Sequence, residues 1–468
     1  MTHIMDTAQW AVKQFGHAKL GDKRRTKRLI KITTDIANNA GKSLIKACKD
    51  DASIEGAYRF IRNDYVCADK IAKAGFIATE QEVKKRKLVL SLEDTTGLSF
   101  RHSVCKELGD VSSAKKDKVA PKGRTLYYHS SLMLDAKTEK VIGLAGQQHW
   151  YRSQKIEKGE QAQQRDIKAK ESFKWQKTTE ELNEQFSNTD NVIHVCDRES
   201  DIYEYIAHQL DNEHRFIVRA NHDRKLTNLD SKLHSVNKKL SPQAHYTVNI
   251  SQRGNRKARK AKIALSYSEV TIDSPKRVAG SKSLTFNVVI CQEIGSKNED
   301  EKLCWYLYTN EVIENAKQAR EISRYYELRW RIEEFHKVWK SDGTQVEKLR
   351  MQTKDNMERM AVILSFVAVL LMQLKELAQN KEEAKERSCE EFFNKQEWQL
   401  LWLKTENKAL PTSPPSLYWA YYALAKLGRW YDSKRTGKVG TKAIWSGWQE
   451  LMIMIDAVEI SKGLPIDN

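Results

Sequence analysis

The chain is poor in the residues that mark secreted, fibrous or membrane proteins. Cysteine is scarce: there are seven, an odd number, at positions 48, 67, 105, 196, 291, 304 and 389, and no CxxC pair. A disulfide framework and a cysteine-rich zinc module both depend on paired spacings, so reduced thiols in a cytosolic protein are expected. Proline (7) and glycine (20) are too few for a collagen-like or low-complexity chain, and no repeat of fixed period is visible. Long hydrophobic runs are missing too. The longest, Ala361–Met372, is broken by Ser365 and flanked by charges. A membrane span needs about 20 apolar residues, so this run reads as a buried helix. The opening MTHIMDTAQW has no apolar signal-peptide core. A cytoplasmic location without membrane contact is expected.

Core-forming residues and positive charge are both plentiful. The 468 residues are 40% hydrophobic with 12 tryptophans, enough for the two or three domains that this length leads one to expect. Lys and Arg number 80 against 62 Asp and Glu, a net +18, with a sequence pI of about 9.3. Such an excess points to a polyanionic partner. Because the charge is spread along the chain, nucleic acid fits better than a membrane surface, with a merely basic soluble protein as the alternative. Residues 1–66 read as helical: Leu29, Ile30, Ile32 and Ile36 recur at a helical period among Lys23, Arg24, Arg25, Lys27, Arg28 and Lys31. Arg24 and Arg28 are i,i+4 neighbours that can face one way. A compact helical module with one basic helix is a common DNA-reading shape; an ordinary solvated face is the other reading.

Strand-like segments begin near residue 87. Leu88–Leu92 ends in Glu93-Asp94-Thr95-Thr96, Thr125–Leu134 and Lys140–Trp150 follow, and Val192–Cys196 ends at Asp197. Residues 160–187 favour helix, and a further helix is expected from Ser200 to Leu210. Residues 215–310 are strand-rich, with a basic loop or hairpin at Arg253–Lys262. From Asn315 helices dominate, broken by Pro411, Pro414 and Pro415. Trp448, Leu451, Met452, Ile455 and Val458 make a stripe that suits core packing or a dimer seam.

Two aspartates thus sit just past strand ends, where sites gather in α/β proteins. Carboxylates there can bind divalent cations, although a turn former or helix cap looks the same locally. The segment ISRYYELRWRIEEFHKVWK is sharper. On one regular helix, Tyr326, Arg329, Glu333 and Lys340 fall within a sector of about 60° along about 20 Å. The bland alternative is i,i+4 pairing of Arg329 with Glu333 as helix support.

The pattern Tyr326-x2-Arg329-x3-Glu333-x6-Lys340 matches the YREK motif of bacterial insertion-sequence transposases, the group with the composite-transposon enzymes. Nearly the whole chain resembles that family of cut-and-paste DDE transposases: LGDKRRTKRL (20–29), EGAYRFIRN (55–63), EDTT (93–96), CDRESDI (196–202) and ERMAVILSFVAVLL (358–371) take part. The resemblance implies an α/β fold: an RNase H-like catalytic core over 67–366 with a β-rich insertion at about 215–312. An N-terminal helical DNA-binding domain (1–66) and a C-terminal helical dimerisation domain (367–468) flank it. It implies that Asp94, Asp197 and Glu333 are the catalytic DDE residues and hold two Mg2+ ions, for which Mn2+ can substitute. It makes Tyr326, Arg329 and Lys340 contacts to the transposon-end backbone, Trp305 a platform for a flipped base, and Arg219 a basic residue near the active site. For Trp305, a strand tryptophan in the core is the reading without the family. Arg24, Arg25, Arg28, Arg59, Lys337 and Trp330 are expected DNA contacts as well. The implied reaction nicks one strand at the transposon end, forms and opens a hairpin, and joins the 3′-hydroxyl to target DNA. The implied partners are double-stranded DNA, both transposon ends and target, and a second copy of the chain in a nucleoid-associated, DNA-bound homodimer. A structure-specific nuclease on the same core, or a non-enzymatic DNA-binding derivative, are the rivals.

Overall fold

The computed structural model describes residues 7–108, 124–152, 168, 170–250, 258–275, 278, 282–295, 302–433 and 439–462. Five helices come first: α1 (Thr7–Phe15), α2 (Lys23–Asn38), α3 (Leu44–Ala47), α4 (Asp51–Ile61) and α5 (Ala68–Val83). Local chemistry starts them. The Asp22 carboxylate accepts from the Arg24 N–H at 2.8 Å to cap α2, and Asp50 accepts from the Ser53 N–H at 2.7 Å to cap α4. Leu29, Ile32 and Ile36 of α2 then turn inward and are buried.

The sheet begins with β1 (Val89–Phe100), β2 (Arg124–Asp135) and β3 (Val141–Trp150). Then come α6 (Lys174–Gln185), β4 (Val192–Cys196), α7 (Tyr203–Asp211) and β5 (Arg215–Arg219). These five strands lie in the order β3-β2-β1-β4-β5. β2 runs antiparallel to its neighbours β1 and β3, while β1, β4 and β5 run parallel. The segment 215–219, expected to open the β-rich insertion, is therefore the last parallel strand, and the antiparallel extension starts after it. That extension comprises β6 (Lys225–Leu226), β7 (Ser231–Lys232), α8 (Leu233–Val236), β8 (Ala244–Ile250), β9 (Arg259–Ile272), β10 (Leu284–Ile294) and β11 (Cys304–Thr309). β11 pairs antiparallel with β5, so both parts form one 11-stranded sheet.

Helices α9 (Ala316–Leu328), α10 (Trp330–Lys337) and α11 (Lys354–Gln379) lead back to the parallel strands. One face of those strands, with Leu90, Leu92, Ile193 and Val195, shares a core with α5, α10 and α11. The other face is covered by α6 and α7, with Trp175, Tyr205 and Ile206 buried. By length and composition α11 could cross a membrane, but 72% of its apolar window is buried inside the protein, which makes it the central core helix. The last helices, α12 (Lys381–Glu386), α13 (Lys395–Glu406), α14 (Leu417–Leu427) and α15 (Thr441–Ser461), build a separate core around Trp398, Leu401, Leu424 and Leu451. There α14 and α15 meet backbone to backbone: a Cβ on Gly447 would stand 1.9 Å from the Leu424 carbonyl oxygen.

Three local expectations shift. Helix α6 starts only at Lys174; residues 153–167 and 169 lie outside the described residues. The expected helix at Ser200 is a short 3-10 turn, Arg198–Ser200, and α7 starts at Tyr203. Of the basic stretch Arg253–Lys262, residues 253–257 lie outside the described residues, and Arg259–Lys262 is already strand β9. On α15, Leu451 and Met452 are buried, whereas Ile453 and Ile460 of the same helix are exposed.

One buried arginine ties the N-terminal helices to α11. Arg359 donates from Nε to the Val66 carbonyl (2.6 Å) and from Nη1 to the Ile61 carbonyl (2.7 Å). Arg359→Met leaves both carbonyls buried without donors, each costing about 1–3 kcal/mol. Urea denaturation should show a loss of about 2–4 kcal/mol; a loss below about 0.5 kcal/mol, within the range of ordinary surface changes, would show that the link is not structural.

Candidate active site

Strand β1 does not stop at Asp94. It runs on to Phe100 with β2 as partner, Asp94 standing opposite Ser130. The parallel pairing with β4 does stop, at Leu92↔Val195. Asp94 therefore lies just where β1 loses its neighbour on one side. Asp197 follows the last residue of β4 and accepts from the Glu199 N–H at 2.8 Å, capping the turn after the strand. The two aspartates thus leave adjacent parallel strands at the same end.

Glu333 comes from the first turn of α10. The expected single straight helix is interrupted: α9 ends at Leu328, the Arg329 N–H bonds back to the Tyr326 carbonyl in a tighter turn, and Val338–Asp342 form a π turn. The physical reason is that the two halves serve different surfaces, α9 packing on β9 and β10 and α10 on β1. Despite the break, the motif residues converge on β1. Arg329 Nη2 donates to Glu333 Oε1 at 2.9 Å, and its Nη1, buried without a hydrogen-bond acceptor, stands 3.6 Å from Asp94 Oδ2. Lys340, in the π turn, donates to the Gly97 carbonyl at 2.7 Å. Tyr326 is buried beneath this group, its ring 5.8 Å from the Arg329 guanidinium and edge-on to Trp305 at 5.4 Å.

Charge links Asp94 to the other two acids. Burial pushes the Asp94 carboxyl up to about 6; the charges of Asp197 and Glu333 push the same way, and the Arg329 guanidinium opposes them. Three carboxylates that feel one another, one of them reluctant to ionise, are a donor set short of positive charge. Their hard oxygens fit a divalent cation. As arranged, no three acidic, His or Cys side chains among the described residues stand close enough to hold one ion, and Arg329 supplies part of the missing charge.

The other sequence-predicted residues spread over two regions. Arg219 ends β5 opposite Leu307 of β11, and Trp305 sits half-buried on that same strand. Trp330 is exposed on α10, with the Lys337 ammonium 5.0 Å from its ring centroid. On the N-terminal helices Arg24 and Arg28 do not share a direction. Arg24 extends into solvent beside Asp22, while the Arg28 guanidinium lies on α4, 2.5 Å from where a Gly56 Cβ would be. Arg25 donates to the Leu20 carbonyl (2.8 Å) and covers the Tyr65 ring, and exposed Arg59 pairs with Glu55. Sequence reasoning passed over Glu93, which is wholly buried against His194 and His129. Its only signal was His194, a histidine set inside an otherwise apolar strand.

Comparison with protein families meets this geometry directly. A family model described as Transposase DDE domain matches residues 126–371, more than half of the chain, and one described as Transposase DNA-binding matches residues 7–66. The chain belongs to the DDE transposases. As such it is an enzyme that cuts DNA and transfers strands with the help of divalent metal ions, on an RNase H-like core. Its N-terminal helices α1–α4 are a DNA-binding domain, which agrees with the basic charge balance of the transposase. The DDE match takes in Asp197 and Glu333 but begins after Asp94, which lies against the same Arg329 guanidinium as Glu333.

The raised Asp94 carboxyl makes a signed prediction. Folding favours its protonated form, so its contribution is fully present below the ordinary value of 3.8 and is lost as pH rises through about 6. Asp94→Asn, always neutral, should be more stable than wild type at pH 7 by about 1–3 kcal/mol. Unfolding measured in chelator should show the gain vanishing as the pH falls towards 4. A variant less stable at pH 7 would contradict the crowding of charge.

Proposed function

We propose that this DDE transposase moves DNA by cut-and-paste through a hairpin intermediate, with Asp94, Asp197 and Glu333 as its metal ligands. The observation that carries the reading is the Arg329 guanidinium lying between Asp94 and Glu333 while Asp197 acts on the same carboxyl by charge. Bound divalent ions, Mg2+ with Mn2+ as substitute, would neutralise charge on the phosphorus and supply an activated oxygen nucleophile.

The protein's own residues bind and orient. Arg329 presents a planar fork suited to two oxygens of one phosphate, whereas Lys340 offers a point charge. Tyr326 completes the YREK set by seating the guanidinium, which links the chain to the composite-transposon group. Trp305, half-buried on the edge of the same cluster, is suited to receive an extruded base, which relieves strain in a tight hairpin; such stacking is worth about 1–3 kcal/mol. Arg219, Trp330 and Lys337 extend the contact along the sheet and α10, while Arg24, Arg25, Arg28 and Arg59 serve the end-binding domain. The 3′-hydroxyl freed after hairpin opening is then joined to target DNA. Two ends must be handled together, so a homodimer is expected, with the exposed Ile453 and Ile460 on α15 as its apolar contact. A cytoplasmic, nucleoid-associated location follows from the substrate.

Alanine at Asp94, Asp197 or Glu333 should abolish cleavage of DNA bearing the terminal repeats and leave binding to it largely intact. A variant that cuts at the wild-type rate would remove that residue from the site. Trp305→Ala should slow hairpin formation roughly 5–150-fold relative to first-strand nicking on a denaturing gel; equal slowing of both steps would assign Trp305 to folding.

A further inference from the structure

The spacing of Asp94 and Asp197 depends on how β1 and β4 lie beyond their last paired residues, Leu92↔Val195. At the end of the ladder a side-chain tie is added to the backbone pairing, from Glu93 back to His194, which pairs with Ser91. Glu93, wholly buried, accepts a hydrogen bond from His194 Nδ1 of β4 at 2.6 Å and from Ser91 Oγ at 2.8 Å. Its other oxygen lies 3.9 Å from His129 Nε2 of β2 and 3.6 Å from Cys196 Sγ. On the far side of Asp94, Thr95 Oγ1 meets His129 Nδ1 at 3.0 Å. Both sequence neighbours of Asp94 are thus gripped from adjacent strands. Side chains alternate along a strand, so Glu93 points under the sheet, towards α6 where Trp175 covers His129 at 4.5 Å, while Asp94 points to α10.

We infer that Glu93, through His194, is a positioning residue that fixes the separation of the Asp94 and Asp197 carboxylates. Glu93 Oε1 is held by His194 and Ser91 together, and Oε2 faces His129, so the carboxyl is fixed from both neighbouring strands. For packing alone an apolar side chain would serve better, because a buried polar group is costly to desolvate unless it is hydrogen-bonded. The return is a directional link across two strands at the one place where the ladder stops. This inference rests on Asp94 and Asp197 being metal ligands.

The test uses the full-length protein and Mn2+ as probe. In Glu93→Gln, which keeps the shape and loses the charge, the Mn2+ concentration for half-maximal binding, read by electron paramagnetic resonance, should rise about 10–100-fold. The affinity for duplex DNA from the flanks of the gene should stay within about twofold, since no DNA contact is touched. His194→Gln, which reaches the pair from β4, should give the same shift, and the double variant should be no worse than either single one, because the pair acts as a unit. High Mn2+ should restore cleavage. Unchanged Mn2+ binding in both folded single variants, or additive losses in the double variant, would overturn the inference, as would parallel loss of DNA affinity and thermal stability without a metal shift. Asp94→Asn is the control: Mn2+ binding that survives there overturns the ligand assignment and, separately from Glu93, the reading on which it rests.

Discussion

The contact of Arg329 with Glu333 at 2.9 Å and with Asp94 at 3.6 Å stands between charges that would otherwise drive each other apart. Two like charges at about 4 Å repel by about 4 kcal/mol near a protein surface, and a third acid adds to that. Gathering Asp94, Asp197 and Glu333 therefore needs a scaffold stiff enough to resist them and a cation to screen them. The scaffold is the parallel pair β1 and β4 with α10 laid across β1, closed beneath by α6 and α7. The guanidinium provides screening from within the chain. The same fork that screens carboxylates also suits a phosphate, so the residue that holds the acids together is equally fitted to engage the substrate.

How much of this could be read in the sequence differs from one element to the next. The apolar runs at Val192–Cys196 and Leu88–Leu92 announce buried parallel strands, because both faces are covered and no alternation is needed. The continuation of β1 through Thr95–Phe100 was hidden. Its polar residues look like a turn, and only the antiparallel partner β2 keeps them extended. The motif helix failed differently: its periodicity is sound, yet its two halves answer to surfaces supplied by segments distant in the chain. Glu93 was the least legible, since an acidic residue beside Asp94 reads as solvated until a histidine 101 residues away is found against it.

The insertion is joined to the catalytic strands more intimately than chain order implies. β11 pairs with β5, Leu307 facing Arg219, so the strand that carries Trp305 is a rigid extension of the sheet that carries Asp94. A second connection runs through side chains: Trp305 against Tyr326, and Tyr326 beneath Arg329. The tryptophan therefore reaches the acids along two routes, one through backbone hydrogen bonds and one through the edge-on Tyr326 ring and the Arg329 guanidinium.

That double connection bears on the proposed hairpin route, in which one set of carboxylates would serve successive strand reactions. If the chemistry repeats at a fixed centre, DNA must shift while the protein stays in register, and parts that contact DNA should be stiff relative to one another. Sheet continuity from β1 to β11 provides this for the proposed base platform, Trp305, and the acids. The N-terminal helices are held in another way, by the buried Arg359 clasp on the carbonyls of Ile61 and Val66, which are the last residues of the DNA-binding domain and the chain just beyond α4. The clasp adds to apolar packing, for Phe15 of α1 meets Phe366 of α11 edge-on at 5.4 Å, so the domain is seated on the core helix while Arg24 extends into solvent. The DNA-binding domain and the parallel strands therefore share α11 as one common core, and the distances between them are set by packing.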